Sequence, residues 1–116
     1  MRRVVVTGLG LLTPLGIGAE LNWSRLISGS VGINKIKNLA VTDLPCKIAG
    51  QIPSINEDKE GGLNLDNWIE PREYKRIDRF IAYGIISAVQ AVEDSGWIPK
   101  TEKEKQRTGV ILGSGI

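Results

Sequence analysis

PREYKRIDRFIAYGIISAVQAVEDSG, residues Pro71 to Gly96, is the stretch whose reading decides how this chain folds. Ile77, Phe80, Ile81, Ile85, Ala88, Val89 and Val92 recur at spacings of three and four, which predicts a helix with one apolar face and so a core for that face to cover. Pro71 suits a first helical turn, and Gly96 followed by Trp97 predicts a left-handed stop with a hydrophobic clasp. Asp78 can cap a fresh start at Arg79, which would divide the segment into a short helix and a long one.

The charges of the same stretch are unusual. Arg72, Lys75, Arg76 and Arg79 fall at i, i+3, i+4 and i+7, a basic stripe near the helix start, while Glu93 and Asp94 stand near its end. On one continuous helix this opposes the dipole at both ends, at about 0.3–1 kcal/mol for each exposed charge at low salt. Cations beside free N–H groups would make a docking site for a phosphate or an acidic partner. The plain alternative is a solvated helix face with Glu70, Glu73 and Asp78 interleaved.

Working outward toward the amino terminus, Arg3 to Thr7 (RVVVT) is a β-branched run without alternation, as expected of a strand buried on both faces of a parallel sheet. A glycine-rich turn from Gly8 to Gly16 leads to a helix expected at about Ala19 to Ser28, with Trp23, Leu26 and Ile27 as its buried side and Gly29 as its stop. Strand, glycine turn and helix raise a dinucleotide-binding reading. Thr13 stands where the third glycine is needed, and no second strand ending in Asp or Glu follows, so the match is poor.

From Ser30 to Asn67 glycine, proline and asparagine interrupt the chain closely, which predicts a long surface excursion with one short strand at Lys47 to Ile52. Asn56 to Gly62 (NEDKEGG) is its most polar part and reads as a mobile loop tip. On the other side of the central stretch, Lys100 to Gln106 reads as a charged connector and Arg107 to Leu112 (RTGVIL) as a second buried strand. The order is that of a right-handed crossover between parallel strands, an α/β arrangement. The Gly113 to Ile116 turn reads as the start of a further unit, so these residues are expected to be part of a larger domain.

Composition limits the chemistry. The 116 residues are 41% hydrophobic and 24% charged with a net charge of +2, which suits a small globular chain and argues against nucleic acid as a partner. No apolar run reaches the ~18 residues of a membrane span, and Met1-Arg2-Arg3 leads into a β-rich run rather than a signal-peptide core, so cytoplasmic residence is expected. With no histidine, a Cys–His pair, a serine triad and a histidine metal site are all unavailable, and Cys46, the single cysteine, reads as a structural thiol. Glu93 and Asp94 are adjacent on a helix and point apart, which does not suit an acid/base dyad.

Six ordered blocks carry a resemblance: Arg2 to Gly10 with Thr13-Pro14-Leu15-Gly16; Ser28 to Ile33; Ile48-Ala49-Gly50; Lys75 to Phe80; Asp94-Ser95-Gly96; and Gly113-Ser114-Gly115. Together they resemble the amino-terminal part of the bacterial β-ketoacyl-acyl-carrier-protein synthases, type II in particular, within the thiolase-like condensing enzymes. The resemblance implies that residues 1–116 are the incomplete amino-terminal part of a thiolase-like fold, with parallel-type buried strands under covering helices. It implies an enzyme whose cysteine takes an acyl chain from acyl carrier protein and whose two histidines help decarboxylate malonyl-acyl carrier protein. All three would lie beyond Ile116, leaving no catalytic residue in the segment, and neither cofactor nor metal is implied. Arg72, Lys75 and Arg76 match the positions that face acyl carrier protein, and Ile116 matches a residue that lines the acyl pocket. A homodimer is implied at full length. The Asn56 to Asn64 region departs from the pattern by its length. The competing expectation is a truncated, non-enzymatic product that acts only as a binding module.

Overall fold

The computed structural model describes residues 1–114 as two compact units, one of residues 11–68 and one of residues 1–10 with 69–114. The 11–68 unit opens with a tight antiparallel pair, β1 (Leu12–Thr13) and β2 (Gly16–Ile17), whose register sets Leu12 opposite Ile17. Helix α1 (Ala19–Ile27) follows. It ends in a Schellman motif: Gly29, at φ 76°, sends its N–H to Leu26 O, and Ser30 sends its own to Arg25 O at 2.9 Å. A second antiparallel pair joins β3 (Ile33–Lys35) to β4 (Ile48–Gly50), with Asn34 opposite Ala49. A single 3₁₀ turn at Leu65–Asn67, capped by the Asn64 side chain, comes near the end of the unit.

The inner side of α1 is polar, which corrects the expected burial of Trp23, Leu26 and Ile27. Those three are exposed and Asn22 is buried. Its amide donates to Gly16 O at 2.9 Å and Gly18 O at 2.7 Å, and its oxygen accepts from the Thr13 hydroxyl. A tight hairpin leaves carbonyls that need donors, and an asparagine on the facing helix supplies them where a leucine could not.

The loop expected to be mobile is tied down. Arg25 Nη1 donates to Leu15 O at 2.8 Å and to the Asp58 carboxylate, and Nη2 donates to Asp58 and Glu60. Asp58 Oδ1 also accepts from the N–H groups of Glu60 and Gly61, both at 3.1 Å, and Gly61 and Gly62 are buried. Arg25 first, then these amides, hold the Asp58 carboxyl well below the usual carboxylate range. Lys37, bonded to Glu57 at 2.9 Å, together with the Ser54 N–H and hydroxyl, lowers Glu57 to about 2.

In the other unit, α2 (Pro71–Tyr74) and α3 (Arg79–Ser95) are separate helices, α3 starting after an extended Asp78 and ending at Gly96 in the left-handed conformation. Residues 8–10 lie directly on α3. A Cβ on Gly8 would stand 2.2 Å from Ala91 O, and one on Gly10 would stand 1.9 Å from Ser87 O, so only glycine permits this approach. Leu9 N–H donates to Asp94 Oδ2 at 2.8 Å, closing the contact. A short α4 (Glu102–Gln106) replaces the expected connector. It is set by a capping box in which Thr101 accepts from Glu104 N–H and Glu104 from Thr101 N–H.

Two further expectations change in this unit. The face of α3 predicted to be inward is only partly covered: Phe80, Ile81, Ile85, Val89 and Val92 remain 37–54% exposed, while Ala82 and Ile86 are fully buried. Small residues decide the inner side, because Ser87, Ala91 and Ser95 admit the glycine segment where bulky side chains would hold it off. Arg3 to Thr7 and Arg107 to Leu112 form no ladder among the described residues, and their valines and isoleucine are exposed rather than buried. A parallel strand needs neighbours and cover on both faces, and within the described residues only the α3 side, at Gly8 and Gly10, is provided.

Candidate functional site

Arg72 sits in the four-residue helix α2, Lys75 caps its end, Arg76 lies in the link and Arg79 is the first residue of α3. The link is a turn: Arg76 N–H bonds Glu73 O at 2.9 Å and Ile77 N–H bonds Tyr74 O at 3.4 Å. The basic stripe expected on one helix is therefore spread over two helices and a turn. Arg72 is the second residue of the single-turn helix α2, which has no separate first and last turn, and Arg79 alone stands at the start of the long helix α3. The misplaced charge at the helix start thus shrinks to Arg79, while Glu93 and Asp94 still stand at the carboxyl end of α3. What stays is an exposed cluster of four cations, none of which makes an ion pair among the described residues.

Asp94 acts through structure, as the acceptor for Leu9 N–H. Cys46 is exposed, its thiol 3.4 Å from Ile48 O. Among the described residues no set of three or more His, Cys, Asp or Glu is grouped to hold a metal, and no helix is long and apolar enough to cross a membrane. Ile116 lies outside the described residues. Just before it, Leu112 joins Phe80, Ile81, Tyr83, Gly84 and Ile85 around an open apolar cavity of about 390 Å³. Sequence reasoning missed the Arg25–Asp58 fork and the Asn22 anchor, since both join residues from different segments. The β3 half of the second hairpin was also missed, because three exposed residues carry no alternation.

The fold is that of a ketosynthase. The chain superposes on the ishigamide ketosynthase/chain length factor with a TM-score of 0.68 and 26% identity, over 89% of this chain and 23% of that one. With it, the α/β elements above are the amino-terminal part of the thiolase-like fold. The family model described as "Beta-ketoacyl synthase, N-terminal domain" matches residues 1–116, and the chain belongs to that family. It is 44% identical over 116 residues to 3-oxoacyl-[acyl-carrier-protein] synthase 2 of Rhizobium meliloti (strain 1021), covering 100% of this chain and 27% of the relative. To the mitochondrial 3-oxoacyl-[acyl-carrier-protein] synthase of Arabidopsis thaliana it is 39% identical over 129 residues, covering 99% of this chain and again 27% of the relative. The chain thus spans about a quarter of the length of these curated relatives.

Proposed function

We propose that the chain is the amino-terminal part of a fatty-acid elongating enzyme that condenses an acyl-enzyme thioester with malonyl-acyl carrier protein, giving 3-oxoacyl-acyl carrier protein and CO2. The observation that carries this reading is the family match along residues 1–116, with 3-oxoacyl-acyl-carrier-protein synthases as the relatives. In that reaction a thiolate attacks the acyl thioester, and the carbanion left by decarboxylation attacks the acyl-enzyme in turn. The segment alone is inactive in this reading. It holds no histidine to stabilise the developing charge, and its one thiol stands exposed on the surface.

The contribution of this segment is docking. Arg72, Lys75 and Arg76 receive the acidic surface of acyl carrier protein, whether acyl- or malonyl-loaded, and Ile116 lines the acyl pocket. The patch is exposed, cationic and free of ion pairs among the described residues, which leaves its charge available to a partner. The same reading places the complete enzyme in the cytoplasm as a homodimer that needs no cofactor.

Two measurements test it. With acyl- and malonyl-acyl carrier protein, a complete enzyme carrying this segment releases CO2 and 3-oxoacyl product, and the 116-residue chain releases neither. Turnover by the chain alone, or none by the complete enzyme, would contradict the reading. Reversing Arg72, Lys75 and Arg76 to Glu in the complete enzyme raises Kd for acyl carrier protein about tenfold or more at low salt. The difference fades toward about 0.5 M salt, and unchanged low-salt affinity would remove the docking role.

A further inference from the structure

We draw no further inference here: the strongest candidate, the open apolar face of α3 at Phe80, Ile81, Ile85 and Val89 with the cavity beside Leu112, carries nothing because nothing in the structure shows what covers it.

Discussion

Asn22 holds the turn of β1–β2 against α1 with a side chain whose donors and acceptor are all used. Replacing it with alanine removes its three side-chain hydrogen bonds, although Gly18 O keeps the backbone N–H of residue 22 and the Thr13 hydroxyl keeps Leu15 N–H, so Asn22→Ala is expected to cost about 1–3 kcal/mol in chemical denaturation of the protein that carries it. Trp23→Ala, on the exposed side, should cost less in the same assay, and the reverse order would show that the apolar side of α1 is the anchored one. Glu57 offers a second test. Its folded value of about 2 lies below the ordinary 4.5, so the unfolded chain takes up the proton first as pH falls. The bonds of Glu57 to Lys37 and Ser54 therefore contribute in full above about pH 4.5 and are lost as pH drops toward 2. An NMR titration of the Glu57 carboxyl should give a midpoint near 2, whereas one near 4.5 would mean the contact is absent in solution. Neither residue could be singled out from sequence. An asparagine amid apolar neighbours and a glutamate in a polar run look solvated until the chain brings them donors.

At the scale of elements, most boundaries were readable because they depend on local chemistry. Pro71 at a first turn, the division at Asp78 and the left-handed Gly96 are all read from short-range rules, and the structure has each of them, although the Asp78 side chain makes no capping hydrogen bond. Thr101-x-x-Glu104 is an equally local signature that announces α4, although its charged composition reads as a linker. What an element faces depends instead on the rest of the molecule. The apolar face of α3 that the spacing picks out is only partly covered among the described residues, and the fully buried Ala82 and Ile86 lie outside that set, because what covers a face comes from other parts of the chain. The packing of α3 on residues 8–10 gives the corresponding test. Gly10→Ala forces a methyl group into Ser87 O and should destabilise by the upper part of the ~1–3 kcal/mol range for overpacking, or prevent folding. Gly109→Ala, with open space around it, should change stability by a few tenths of that, and equal effects of the two would show that 8–10 does not rest on α3.

For the whole molecule, the family was legible in blocks of sequence, while the burial of its strands was not, because that burial is supplied by chain partners rather than by the residues themselves. Val4 at 94%, Val6 at 80% and Ile111 at 97% exposure sit on backbone without ladder partners among the described residues. Such edges pair with whatever strand they meet. The 116-residue chain made alone is therefore expected to elute from size exclusion with a light-scattering mass above 12.6 kDa that rises with concentration, and a constant 12.6 kDa would contradict this. The bond from Leu9 to Asp94 also joins residues 85 positions apart. At about 5–20 residues per second, the ribosome releases the glycine segment roughly 4 to 17 seconds before its helix partner is made. Throughout that delay the Val4–Val6 run must stay out of other chains' reach, and Arg2 and Arg3, beside it in sequence, are the gatekeepers available to a nascent chain at that stage.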